Sequence, residues 1–289
     1  MHHFIIPLLI ILSQSLMSCK SESIDLNSTQ IDSTYIICPT PLFTESEETQ
    51  YHVILIVGQS NCYAGTGLDD NIDTVDSRVI QLGRGDNYYK FIPASVPLDH
   101  TTAKSEKVGF GPTFLNYYAS QLLDKNDSII VIACGSGGTG FINNYWNPGD
   151  RLYKDAIQRT KYVLDSLKNS SIKAILWQQG EADASNEEYQ SQLDTFIVKI
   201  RNRLNATDIP FLAGGMVPYW VKIHEDRIRN QEIIKDIENR HPLAGYVDPE
   251  EPFEIRKVNP DFNMVHYDAR EQRELGKRYF LRYLCILEN

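Results

Sequence analysis

Five short apolar runs, at 51–57, 128–134, 172–177, 210–214 and more weakly 244–247, alternate with segments of helical periodicity. This alternation constrains the fold more than any other feature of the chain. The runs are mostly apolar throughout rather than at every second residue, which suits strands covered on both faces. Between and after them, 112–123, 151–168, 187–204, 224–239 and 269–284 carry apolar residues at helical spacing. The fourth is strongly charged, with Ile228, Ile233, Ile234 and Ile237 as its expected inner face. Strand–helix alternation predicts an α/β fold, a mostly parallel sheet with helices on both faces. The stretch 78–97 is expected to add short strands or a long loop before the first clear helix.

Ahead of this pattern lies a targeting signal. Residues 4–12 are apolar but too few to span a bilayer, which takes about 20, and they read as the core of a signal peptide. Leu16-Met17-Ser18-Cys19 follows, with the aliphatic residue three before the cysteine and the small residue just before it that mark a bacterial lipobox. The expected organisation is a lipoprotein signal over 1–18, a lipid-anchored flexible tether over 19–50 with Cys19 as the lipidated residue, and one domain over 51–289. The expected location is a bacterial membrane beyond the cytoplasm, on its periplasmic or cell-surface side. The tether is rich in Ser, Thr, Asp and Glu and has no sustained periodicity. A formal net charge of −10 argues against nucleic acid or an anionic membrane surface as a partner, so the only membrane contact expected is the lipid anchor. Cys38, Cys62, Cys134 and Cys285 match no zinc or redox spacing. Cys62 and Cys134 follow strand ends and could approach each other, most simply as buried free thiols. No metal or cofactor is implied.

In an open α/β sheet, ligands sit outside the carboxyl ends of the strands. Three segments fall there: Gly58-Gln59-Ser60-Asn61, Gly135-Ser136-Gly137-Gly138-Thr139-Gly140 and Gln178-Gln179-Gly180-Glu181-Ala182-Asp183. The second formally matches the dinucleotide pattern G-x-G-x-x-G. Yet residues 141–149 separate its glycines from the next helix, whose N-terminus a pyrophosphate would need. A Gly-rich loop can equally turn its N–H groups toward an anion that forms only during reaction. Ser60 is a candidate nucleophile if a base reaches it. His266, directly before the last helix, sits where a C-terminal catalytic histidine would come. Glu181, Asp183, Asp261 and Asp268 are carboxylates that could fix its tautomer, although Asp268 is better placed to cap the helix.

Four blocks then occur in order: Gly58-Gln59-Ser60-Asn61; the Gly137-Gly138-Thr139 loop with Trp146-Asn147-Pro148-Gly149; Trp177-Gln178-Gln179-Gly180-Glu181-Ala182-Asp183; and His266-Tyr267-Asp268 leading into 272–279. Together they resemble the SGNH-hydrolase branch that holds sialate O-acetylesterases and the acetylxylan esterases of carbohydrate esterase family six. The resemblance implies a flavodoxin-like three-layer α/β/α sandwich and the removal of O-acetyl groups from carbohydrates without a metal. It implies Ser60 as nucleophile and His266 as base. The oxyanion would be bound by the Ser60 N–H, a Gly137 or Gly138 N–H and the Gln179 side chain. Gln59, Asn61 and Trp146 are expected to contact substrate, Trp146 by stacking on a sugar.

One departure stands out. Family members usually place Asp three residues before the histidine, where this chain has Asn263. An amide cannot stabilise an imidazolium as a carboxylate does, and loss of a triad acid can cost about 10⁴ in turnover. Glu181 is therefore the expected acid, with Asp261 as second candidate. The departure also keeps open a glycan-binding lipoprotein with weak or no turnover. A lipase or thioesterase is the other alternative on this fold.

Overall fold

The computed structural model describes residues 49–102, 105–256 and 263–288. Cys19, Cys38, Asp261, the expected signal segment and most of the expected tether lie outside the described residues. In chain order the elements are β1 (Tyr51–Gly58), β2 (Gly65–Thr66), β3 (Val79–Leu82), β4 (Phe91–Pro93), β5 (Lys107–Val108), α1 (Gly111–Gln121), β6 (Ser128–Ala133), α2 (Arg151–Ser166) and β7 (Ser170–Gln178). They continue with α3 (Tyr189–Leu204), β8 (Phe211–Gly214), α4 (Pro218–Lys222), α5 (Glu225–Lys235), α6 (Ile237–Arg240), β9 (Ala244–Val247) and α7 (Ala269–Leu287).

The main sheet runs β4-β3-β6-β1-β7-β8-β9, parallel throughout except for β4, which pairs antiparallel with β3. Its central five strands, β6-β1-β7-β8-β9, have the flavodoxin-like order. The β3–β4 hairpin, from the stretch 78–97, extends the β6 edge. Val53 through Val57 are all fully buried, as are Ile129 through Ile132. That is the burial expected of strands with helices above and below. Helices α1 and α7 pack on each other, as do α2 and α3, one pair on each side of the sheet. The α2–α3 side centres on Trp177, Phe196, Trp146 and Phe141, whose rings meet at 4.6–6.0 Å.

The expected helix over 224–239 is broken. Asp236, at φ −78° and ψ 5°, separates α5 from α6, and the short α4 precedes them. Its inner face also differs, because Ile228 is exposed while Asn230 and Gln231 are buried. These two amides make specific bonds: Asn230 Nδ2 donates to Asp183 O at 2.5 Å, and Gln231 Oε1 accepts from Met216 N at 2.9 Å. Helix α7 opens with a reciprocal cap. Asp268 Oδ1 accepts from Glu271 N at 2.9 Å, and Glu271 Oε2 accepts from Asp268 N at 2.6 Å.

Candidate active site

Strand β1 leads from the core to Ser60. At its end Gly58 has φ +133°, and a Cβ there would collide with the Gln178 carbonyl of β7. Only glycine allows β1 and β7 to approach so closely. The chain then turns through Ser60–Cys62, with the N–H groups of Tyr63 and Ala64 both donating to Ser60 O. Ser60 therefore stands at the carboxyl end of the central strand, at the switch point between β6 and β7. Its own N–H donates to no described group.

His266 arrives from the segment before α7. Its Nε2 is 2.8 Å from Ser60 Oγ, and its Nδ1 is 2.8 Å from Asn263 Oδ1. An amide oxygen can only accept, so Nδ1 carries the proton and Nε2 is left to receive one from Ser60. Asn263 adopts the left-handed conformation, φ 60°, which Asn tolerates better than most residues.

Glu181 does not fill the role expected of it. Its Oε1 accepts from Asn61 Nδ2 at 2.5 Å, and its Oε2 is buried without a hydrogen-bond partner. Burial pushes its pKa up to about 7, against the smaller opposing effects of its backbone N–H and the Asn61 amide. Turned into the protein, this carboxyl meets the amide of Asn61 rather than His266.

Asn61 is fully buried, so it cannot touch substrate as expected. Besides Glu181, its Nδ2 reaches Val265 O at 2.9 Å, and its Oδ1 accepts from Tyr267 N at 3.1 Å. One side chain thus grips both neighbours of His266, while Gln272 Nε2 holds the Asn61 carbonyl at 3.0 Å. Gln59 is also buried, and its Oε1 accepts from Ala182 N at 3.1 Å, tying the serine turn to the end of β7. Trp146 is fully buried as well, its Nε1 donating to Thr139 Oγ1 at 3.0 Å. Its ring belongs to the core and presents no face to a sugar.

Gln179 departs from expectation for the same reason. Its Nε2 lies 2.7 Å from Asp183 Oδ2 and 3.4 Å from Thr139 O, inside the protein, so its donors are spent there. Asp183, fully buried, accepts in addition from the N–H groups of Phe141 and Ile142 and from Asn186 Nδ2, at 2.8–2.9 Å. It ties the glycine loop to the end of β7, which is why that block carries a second acid. Sequence reasoning weighed Asp183 only as a partner for the base.

The glycine loop itself does reach the serine. A Cβ on Gly137 would stand 3.9 Å from Ser60 Cβ and 2.9 Å from Tyr63 Oη. The Gly137 N–H donates to Thr102 Oγ1 at 2.9 Å, and Thr102 in turn bonds Tyr63 Oη. Gly138, at φ +68°, is exposed, and its N–H donates to no described group. Behind the loop, buried His100 accepts from Gly135 N at 2.9 Å through Nδ1. Burial, with the nearby Arg84 charge, lowers its pKa to about 3, so it stays neutral. No local signal in the sequence singles His100 out for this supporting role. Among the described residues no group of His, Cys, Asp or Glu could hold a metal ion.

The sequence profile of the family described as "Carbohydrate esterase, sialic acid-specific acetylesterase" matches residues 50–285. A probable carbohydrate esterase from Arabidopsis thaliana is 34% identical over 125 residues, 42% of this chain and 45% of that protein. The match thus spans less than half the length of the plant relative. A probable 9-O-acetyl-N-acetylneuraminic acid deacetylase from Escherichia coli K12 is 24% identical over 222 residues, 59% of this chain and 68% of that protein. The crystal structure of NanS superposes with a TM-score of 0.70 at 17% identity, covering 83% of this chain and 98% of that one, a likeness of fold. With its profile match running from the start of β1 almost to the end of α7, this chain belongs to the sialic acid-specific acetylesterase family of carbohydrate esterases.

Proposed function

We propose that this protein is a serine esterase that removes O-acetyl groups from carbohydrates through an acyl-enzyme. The observation that carries the reading is Ser60 Oγ at 2.8 Å from His266 Nε2, beside a glycine loop whose Gly138 N–H donates to no described group. Ser60 attacks the acetyl carbonyl while Nε2 takes its proton. The tetrahedral oxyanion lies against the N–H groups of Ser60 and Gly138, with Gly137 joining once its N–H leaves Thr102. Each such preorganised donor is worth about 10²–10³ in rate. His266 returns the proton to the departing sugar oxygen, freeing the alcohol. Water, deprotonated by the same nitrogen, then releases acetate from Ser60.

Family membership supports a carbohydrate acetyl ester as substrate, and the bacterial relative's name favours O-acetylated sialic acid over acetylated xylan. Acetate release from acetylated sialic acids, acetylated xylan and acetylated pectin decides among them. Wild-type protein that acetylates Ser60 and turns over on at least one supports the reading, and cleavage of long-chain acyl esters alone defeats it. Asn263 favours a second reading, a glycan-binding protein with little turnover. Absence of an acetyl adduct on Ser60 with an activated acetate would establish that instead. Attachment to a membrane through lipidated Cys19 is also proposed, and Cys19→Ala tests it. Release of the protein into the soluble fraction is expected, and continued membrane retention contradicts it.

A further inference from the structure

At the β4 edge of the sheet an aromatic cluster faces outward. Tyr88 is 63% exposed and Tyr162, from α2, is 37% exposed. Tyr89 lies between them, with ring centres 4.7 Å from each, and Phe91 stacks on Tyr162 at 6.0 Å. Exposed aromatic side chains gathered in this way are uncommon on a surface unless they contact something. Their floor is fixed from beneath. Arg159 is fully buried, its guanidinium carbon stands 5.0 Å from the centre of the Tyr89 ring, and its Nη2 bonds the carbonyls of Leu82 and Gly83. Tyr89 itself has φ 58°, a left-handed conformation that costs a bulky residue free energy and persists only where surrounding contacts enforce it. The rim is polar: Asp86, Asn87 and Lys90 are exposed around the turn.

This cluster shares the rim on which Ser60 lies. The β3–β4 turn emerges from the carboxyl end of β3, parallel to β6 and β1. From β4 to β1 is three strand spacings, about 14 Å. The intervening segment is stitched along the end of β6: Arg84 Nε to Ala133 O at 3.1 Å, His100 to Gly135 N, and Thr102 to Gly137 N beside the serine.

We propose that Tyr88, Tyr89, Phe91 and Tyr162 form an accessory carbohydrate platform that holds sugar units of the same glycan whose acetyl ester meets Ser60. The occupant is a pyranose chain, because tyrosine faces pack against the C–H surfaces of sugar rings while phenol and rim groups bond their hydroxyls. A saccharide a few units long would reach from the platform to the serine. This inference rests on the carbohydrate esterase reading and assigns that substrate an extended, rather than single-sugar, form.

The test is migration of the full chain, carrying Ser60→Ala so that no turnover occurs, through native gels containing xylan, pectin or sialylated mucin. Retardation by at least one polymer is expected. Tyr88→Ala should weaken it about tenfold, the loss of one aromatic contact of about 1.4 kcal/mol, with an unaltered melting curve, whereas Tyr88→Phe should retain it. Retardation by none of the polymers overturns the proposal. So does retardation unchanged in both Tyr88→Ala and Tyr162→Ala. Because binding is read without catalysis, failure here is distinct from failure of the esterase reading, which acetate release by the wild type decides.

Discussion

Asn263 and His266 are joined through the ring nitrogen that faces away from the nucleophile: Asn263 Oδ1 meets Nδ1 at 2.8 Å while Nε2 faces Ser60 at the same distance. The amide supplies what geometry requires, an acceptor that fixes the tautomer. It lacks the negative charge that would stabilise the imidazolium which the proposed mechanism forms when Ser60 gives up its proton. Asn263→Asp should therefore raise kcat by about tenfold, a carboxylate partner favouring the charged ring by about a pK unit or more. Asp tolerates the left-handed backbone nearly as well as Asn, so the loop should hold. Turnover of an aryl acetate across pH, compared with the wild type, checks this, and an unchanged profile would mean that charge at this position has no catalytic weight.

Ser60→Ala and His266→Ala should each lower turnover by about 10⁴ or more while leaving the melting temperature near that of the wild type, as expected of members of one catalytic unit. Their combination should cost little more than either alone. Additive losses in the double variant would show that the two do not act together.

Asn61→Ala should reduce both stability and kcat. It leaves the Val265 carbonyl, the Tyr267 N–H and Glu181 Oε1 without the partner they share, at about 1–3 kcal/mol for each buried group left unsatisfied. Because Asn61 is buried and holds the residues on either side of His266, kcat should fall while KM stays near its wild-type value. A rise in KM with kcat intact would return Asn61 to substrate binding.

Glu181 makes stability depend on pH. Its pKa rises from an ordinary value of 4.5 to about 7 in the folded protein. Between those values the native state holds a proton that the unfolded chain has lost, so stability falls as pH rises. The loss begins near pH 4.5 and is complete above about 7. At about 1.4 kcal/mol per pK unit, it amounts to roughly 3 kcal/mol. Glu181→Gln should remove this contribution, gaining on the wild type progressively from pH 5 to 8 in urea unfolding. A pH-independent difference between the two proteins would contradict a buried carboxyl of raised pKa.

The strand ends were legible because apolar runs report burial, and motif order could then point to Ser60 and His266 as neighbours. The directions of the polar side chains between them were not. Gln59, Asn61, Gln179 and Trp146 all stand in blocks that resemblance ties to the site, yet each is turned inward to join loops together. A residue's place in a motif is written in the sequence, but the face it presents depends on long-range partners such as Tyr267 and Asp183. The same holds for Glu181, where an acid beside a strand end looks available until Asn61 is seen to occupy it. The β3–β4 hairpin was hard to place because its strands are too short to show a period.

Cys62 and Cys134 are fully buried and free. Burial pushes the Cys62 thiol well up and the Cys134 thiol to about 11, the latter even with Arg84 Nη2 3.1 Å from its sulfur. Since the thiolate is the nucleophile that attacks oxidants and disulfides, burial and a raised pKa keep both sulfurs in the less reactive thiol form at neutral pH. The turn that carries Ser60 and the strand end beside it thus depend on packed thiols and not on a disulfide. This part of the molecule can take the same form in a reducing or an oxidising compartment, with no dependence on thiol oxidases or isomerases.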